Sequence, residues 1–273
     1  MMSVEPFGLS NIGNTCWFNS FVQSLLSCPS LVRLLRDCDP EIVNKVALHL
    51  RDLTITTQTV APSLLHRALS RSAQARSAQF GRPWVQEDAE EGIITMIEAM
   101  NISAVRKMFK YKYNVCITCN ACGHSLKKVD ENYFLKVHPA DLQNTTLTQY
   151  IFSNTTNIND YRCDNCKQMG HCVRVNRLGY IPEVFIIVFE KYLHKWNIQY
   201  PSSLTFIGTD GQSRLRYEPV AQIEHSGGQR GGHYWAIVNR GNFIYKMNDH
   251  NVSQTRFMAT NNTYIVVYCR KEN

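Results

Sequence analysis

The chain has 273 residues, 44% of them apolar and 19% charged, with a formal net charge of +7. That length and apolar share suit one large domain or two sub-domains around a substantial core. No apolar run is long enough to span a bilayer. The opening Met1-Met2-Ser3-Val4-Glu5-Pro6 lacks the charged and apolar regions of a secretory leader, so an intracellular place, cytoplasmic or nuclear, is expected. The basic residues are scattered and match no nucleic-acid motif, so neither a nucleic acid nor a membrane is expected as a partner. Ten cysteines without a leader point to metal ligands and a reactive thiol in a reducing compartment rather than to disulfides.

The first element is read from Gly8-Leu9-Ser10-Asn11-Ile12-Gly13-Asn14-Thr15-Cys16-Trp17-Phe18-Asn19-Ser20. Gly13, Asn14 and Thr15 are turn and cap residues. Phe18, Phe21, Val22, Leu25 and Leu26 follow at helical spacing, so a polar loop feeds an amphipathic helix with Cys16 at the junction. A thiol there faces unsatisfied N–H groups and the positive end of the helix dipole, which favours thiolate and suits a nucleophile. Further helices are predicted at Leu31–Arg36, Glu41–Leu50, Pro62–Ser70 and Gln86–Met100, with Ser70–Gly81 as an exposed loop. The first 110 or so residues thus read as helical.

After Tyr111 the pattern turns to strands: Tyr111–Thr118, Tyr133–His138, Val173–Tyr180 and Val184–Glu190, then Tyr217–Glu224, His233–Asn239, Phe243–Asn248 and Tyr264–Cys269. Thr145–Asp160 reads as a polar connector after a short helix near Leu147–Phe152. Helices first and strands later indicate an α+β fold. Cys119-Asn-Ala-Cys122-Gly123 and Cys163-Asp-Asn-Cys166 form two C-x2-C knuckles between strand candidates. Each places two thiolates for one tetrahedral zinc, and together they close a structural four-cysteine site at the tips of two hairpins. Gly123 allows the positive φ such a knuckle needs. Cys116, His124 and Cys172 lie nearby and read as filler. Lys127-Lys128, Lys167 and Arg174 are too few around the knuckles for a zinc-dependent nucleic-acid binder.

Gly231-Gly232-His233-Tyr234-Trp235-Ala236-Ile237-Val238 puts a histidine at the mouth of an apolar strand, after glycines that let backbone or substrate approach closely. Arg240-Gly241 reads as the two-residue turn of a hairpin, which sets Asn239 opposite Asn242 and His233 opposite Asn248. Opposed side chains share a face, so Asn248 can hold the imidazole, while Asp249 points to the other face; a one-residue slip reverses that choice. An amide suffices as the third residue, because Cys and His can rest as a thiolate–imidazolium pair.

These segments together resemble the ubiquitin-specific proteases, a papain-like cysteine protease family. Gly8–Ser20 is similar to that family's Cys box, and Tyr217 to Asn248-Asp249, with His225-Ser-Gly-Gly and Gly232-His233-Tyr234, to its His box. Gln86-Glu87-Asp88-Ala89-Glu90-Glu91 is similar to the helix start between them, and the knuckles match its fingers. The resemblance covers roughly residues 7–269. It implies a right hand: a helical thumb (about 1–110), zinc-tipped β fingers (about 111–180) and a β-rich palm (about 181–273). It implies hydrolysis of the bond after the C-terminal glycine of ubiquitin, with ubiquitin or its conjugates as partner. Cys16 would be the nucleophile, His233 the acid–base and Asn248 or Asp249 its support. Asn11 and the Cys16 N–H would form the oxyanion site. Gln86 and Asp88 would contact the substrate tail, Trp17, Trp84, Tyr234 and Trp235 would line its channel, and His225 with Gly227-Gly228 would lie in a mobile loop over it. Glu87, Glu90, Trp17 and the Phe189-Glu190-Lys191-Tyr192 strand end depart from the family's usual residues. These leave two alternatives open: a protease for a ubiquitin-like modifier, and a ubiquitin-binding scaffold with weak catalysis.

Overall fold

A computed structural model of the chain describes residues 4–74, 80–82, 84–191, 198–207, 211–228 and 231–271. Six helices come first: α1 (Cys16–Leu25), α2 (Pro29–Asp37), α3 (Lys45–Leu53), α4 (Ser63–Gln74), α5 (Ala89–Met100) and α6 (Ser103–Phe109). The rest is mainly β, so the α+β order holds. The helix expected at Glu41–Leu50 begins instead at Lys45, because Asn44 caps it by accepting from the backbone N–H groups of Val46 and Ala47. Helix α4 runs into the segment expected to be a loop as far as Gln74; residues 75–79 of that segment lie outside the described ones.

All ten residues of α1 are buried, and it packs on the palm-side sheet and on α5. Gly92 of α5 permits that approach: a Cβ there would stand 2.4 Å from Phe21 Cε1 and 3.0 Å from Trp17 Cζ3. Gly92→Ala is therefore expected to destabilise the fold by about 1–3 kcal/mol despite alanine's better helix propensity. An unchanged denaturant midpoint would show that the two helices separate cheaply.

A four-stranded antiparallel sheet has the order β2-β1-β5-β4, formed by β1 (Tyr111–Cys119), β2 (Ser125–Asn132), β4 (Ser153–Ile158) and β5 (Cys172–Tyr180). The polar connector expected over Thr145–Asp160 holds the predicted short helix, α7 (Leu147–Phe152), but its second half is β4. Asn and Thr pass as loop by composition; pairing with β5 supplies the hydrogen bonds that make them a strand. The larger sheet runs β11-β10-β9-β8-β12-β6-β3, with β7 (Leu204–Ile207) also on β8. Its strands are β3 (Phe134–Val137), β6 (Val184–Phe189), β8 (Arg214–Gly228), β9 (Gly231–Arg240), β10 (Phe243–Asn248), β11 (Asn251–Thr255) and β12 (Thr263–Arg270). Strand β3 joins β6 in parallel and so belongs to this sheet although it lies between β2 and β4 in the chain. Every residue of β6 is buried: Val184, Ile186 and Val188 face the helical core, while Phe185, Ile187 and Phe189 face the second core. A strand covered on both faces reads as a continuous apolar run, which is how β6 appears in the sequence.

The β9–β10 hairpin differs from expectation by two residues. Phe243 pairs with Arg240 and Met247 with Ala236, so the turn is Gly241-Asn242. Gly241 takes φ 67° at the first central position, where a type II′ turn needs glycine. Because side chains alternate with period 2, a two-residue shift leaves every side chain on its expected face. Among the described residues no helix is long and apolar enough to cross a membrane.

Candidate active site

Three backbone segments converge at the first turn of α1. The loop before it is tied down by Leu9 N–H donating to the Asp249 carbonyl at 3.0 Å and by a parallel bridge between Leu9 and Val60. Asn11 shapes the turn: its Oδ1 accepts from the N–H groups of Gly13 (3.0 Å) and Thr15 (3.2 Å). Cys16 follows at 4% exposure. Its Sγ receives the Gln86 Nε2 amide at 3.8 Å and the backbone N–H of Tyr234. Burial raises the Cys16 thiol above its ordinary value, and the Asp249 charge adds to this, against the lowering by the N–H groups of Tyr234, Trp17 and Cys16 itself. The thiolate expected from the helix N-terminus is thus outweighed in this state by loss of solvent. Among the described contacts the thiol faces Gln86 rather than an imidazole.

His233 Nε2 lies 2.6 Å from Asn248 Oδ1. The amide oxygen only accepts, so Nε2 is the donor of this bond, and in the neutral imidazole the lone pair is then on Nδ1. The two residues are diagonal across β9 and β10, not directly opposite, and still share a face. The ring stacks on Trp235 with centroids 6.0 Å apart, and Lys246 Nζ lies 5.0 Å from the other side chain of that pair, Trp235. Asp249 has φ 53° and turns away: its carboxylate accepts from Asn11 Nδ2 at 3.1 Å and from Asn19 Nδ2 at 2.8 Å. It therefore ties the Cys16 loop and α1 to the end of β10. One hydrogen of the Asn11 amide is committed to Asp249.

Gln86 bridges the two halves, since its Oε1 accepts from Gly232 N–H at 3.1 Å while its amide meets Cys16. Gly232 has no room for a side chain; a Cβ would lie 2.3 Å from Ser226 O and 2.5 Å from His225 Nε2. Asp88 caps α5 by accepting from Glu90 N–H at 2.7 Å, and Tyr264 Oη donates to it at 2.8 Å. Beside them a cavity of about 470 Å³ is lined by Asp88, Glu90, Glu91, Phe80 and Tyr264, among others. His225 is not in a mobile loop: it sits within β8, 1% exposed, with its ring 4.2 Å from that of Tyr234. Burial, then the Lys191 and His233 charges, push it down to about 4, so it is neutral near pH 7. Trp17 is core rather than channel, 1% exposed against Phe18, Phe21 and Phe80. Asn19 and Tyr264 escaped sequence reasoning. A polar residue amid the apolar face of α1 was the signal for Asn19; Tyr264 offered none.

The four knuckle cysteines gather at the hairpin ends, with all ligand atoms within 4.8 Å of one another. Cys119 and Cys166 sulfurs are 3.8 Å apart, Cys122 and Cys163 3.7 Å. Four thiolates at Zn–S of about 2.3 Å have tetrahedral edges of about 3.8 Å. The knuckles match: Gly123 N–H donates to Cys119 O, Lys167 N–H to Cys163 O, and Gly123 and Lys167 both take positive φ, 72° and 61°. The His124 N–H and the Asn165 amide lower the Cys122 thiol from its ordinary value. These residues can hold one metal ion. Cys116 contacts Thr118, and Cys172 pairs across from Cys119; neither is in the set. Arg174 and Lys128 are both engaged by Asp130.

The profile of the ubiquitin carboxyl-terminal hydrolase family matches residues 7–268. The chain belongs to that family. Similar proteins include the probable ubiquitin carboxyl-terminal hydrolase 16 of Schizosaccharomyces pombe, 24% identical over 97% of this chain and 66% of that protein. Another is ubiquitin carboxyl-terminal hydrolase Usp2 of Drosophila melanogaster, 23% identical over 96% of this chain and 34% of that protein. The chain thus spans from about a third to just under two thirds of the length of these relatives. Among solved structures, the SAGA Ubp8/Sgf11/Sus1/Sgf73 DUB module bound to ubiquitin aldehyde superposes with a TM-score of 0.74 and 18% identity, over 98% of this chain and 70% of that one. That likeness is one of fold, and it supports the α+β right-hand architecture.

Proposed function

We propose that this domain is a thiol-dependent ubiquitinyl hydrolase that cleaves the bond after the C-terminal glycine of ubiquitin through an acyl-enzyme on Cys16. The observation that carries this reading is the Gln86 bridge, which puts Cys16 Sγ and the Gly232 N–H on one side chain next to the hydrogen-bonded His233–Asn248 pair. The cavity beside Asp88 and Glu91, with Glu90 paired to Lys136, suits a tail that arrives at Gly231-Gly232 and carries arginine.

In this mechanism the tail displaces Gln86 from the thiol, and His233 Nδ1 takes the Cys16 proton. The thiolate attacks the glycine carbonyl. The developing oxyanion is met by the Cys16 N–H and by the second hydrogen of the Asn11 amide, the first being held by Asp249. His233 then protonates the leaving lysine amine and activates a water that releases the glycine acid. Asn248 holds the ring; Gln86, Asp88, His225, Gly232 and Tyr234 shape the tail channel. One zinc ion on Cys119, Cys122, Cys163 and Cys166 serves a structural role, since four thiolates leave no open position. On this reading the thumb is residues 1–110, the fingers 111–180 less β3, and the palm 181–273 with β3. Ubiquitin conjugates in the cytoplasm or nucleus are the substrates, and the ten free thiols suit that reducing setting.

The test is reaction with electrophilic C-terminal probes of ubiquitin and of several ubiquitin-like proteins. An adduct on Cys16 with the ubiquitin probe is expected. Labelling by a ubiquitin-like probe alone changes the modifier, and no labelling of Cys16 by any probe refutes the reading. Asn248→Ala is expected to lower kcat roughly 10- to 100-fold with little change in melting temperature. Asp249→Ala is expected to cost less turnover but about 1–3 kcal/mol of stability, because it removes an acceptor from the buried Asn19 amide. Kinetics and thermal melts of both variants decide; the reverse ranking in turnover would assign the imidazole's support to Asp249.

A further inference from the structure

Trp84 is 73% exposed, yet its backbone is held in a conformation that a large side chain rarely adopts, φ 67°. Its carbonyl accepts from Asn14 Nδ2 at 2.6 Å, and Asn14 is itself at φ 52°. Its indole lies on Gly13 of the Cys16 loop: a Cβ on Gly13 would be 2.6 Å from Cε3 and 2.7 Å from Cζ3. Two strained non-glycine residues are thus locked together to hold a ring that remains mostly in water. Burial does not account for this, because little apolar surface is removed from solvent. Strain kept without a packing return is a mark of a functional surface.

Its place along the cleft says which surface. Residues 85–88 carry no helix or strand and run past the site. Asp88 stands with Tyr264 at the acid-lined cavity, Gln86 at Cys16 Sγ and Gly232, and Trp84 at Gly13. Cys16 therefore lies between the cavity and the indole. If the glycine tail arrives past the cavity and Gly232, the group leaving Cys16 departs over Gly13.

We propose that Trp84 contacts the leaving group: its indole face packs against the aliphatic stem and flanking backbone of the acceptor lysine in a conjugate. An exposed indole suits that group, since the acceptor lysine's stem, its Nε held in the neutral isopeptide bond, buries its methylenes on the ring. The inference rests on the hydrolase reading above and names the acceptor side of its substrate.

The experiment compares two substrates of the same tail. Ubiquitin methyl ester has a leaving group too small to reach Trp84, whereas ubiquitin joined through Nε of a lysine in a short peptide covers it. Trp84→Ala is expected to lower kcat/KM on the isopeptide roughly five- to tenfold, mainly through KM, and to leave the ester within about twofold. Trp84→Phe is expected to retain most of the isopeptide activity. An equal loss on both substrates makes Trp84 a structural support of the Cys16 loop and overturns the proposal, as does an unchanged isopeptide rate. If the unaltered enzyme cleaves neither substrate, the hydrolase reading itself fails and this inference with it.

Discussion

Cys16→Ala is expected to abolish hydrolysis of ubiquitin C-terminal amides, a loss of at least about 10⁴-fold, while ubiquitin affinity stays within about twofold. The thiol is small and buried at the first turn of α1, so its loss removes the nucleophile without opening a large cavity. Turnover assays and calorimetric titration with ubiquitin give the two readouts. Residual turnover comparable to the unaltered enzyme would place the nucleophile elsewhere among the ten cysteines. The pH dependence follows from the burial of the same thiol. A thiol whose ionisation is displaced upward gains reactivity as pH rises, so alkylation of the free enzyme by iodoacetamide is expected to climb through neutral into alkaline pH. A rate already flat across the acidic range would mean a resting thiolate–imidazolium pair.

Removal of zinc is expected to have the largest effect on stability. Four-cysteine sites contribute about 10–16 kcal/mol in small zinc-dependent folds, comparable with the about 5–15 kcal/mol that holds a whole domain together. Here the site joins the β1–β2 end to the β4–β5 end, and the two outer strands of that sheet carry little core of their own: β2 is exposed at all but one position and β4 at four of six. Cys163→Ser, or chelation, is expected to lower the melting temperature by more than about 10 °C. The kcat of the enzyme that remains folded should be unchanged, because the metal touches no reacting atom. A chelated protein with an unshifted melt would show that the fingers stand without metal.

Much of this site was legible before any fold was known. Cys16 was marked by turn residues meeting a helical apolar pattern, and the knuckles by a spacing that two thiolates on one metal demand. Asn248 and His233 share a face despite the misread turn, because an error of two residues preserves the face of a strand and an error of one would not. Strand β4 was missed because its Asn and Thr residues owe their conformation to a partner strand. The burial that raises the Cys16 thiol was not legible, because a helix N-terminus is visible in sequence and burial is not.

The division follows the range of the forces involved. Local rules of turns, caps, periodicity and ligand spacing act over a few residues, and they were enough to pick out Cys16, His233 and the four knuckle cysteines as candidates and to give the α+β order. The Gln86 bridge, the Asp249 tie to Asn11 and Asn19, the burial of His225 in β8 and the Tyr264–Asp88 bond join residues from 70 to 238 positions apart, or depend on what covers them. No pattern of neighbours encodes such pairings; they form when the sheet closes over α1 and excludes water from the space between.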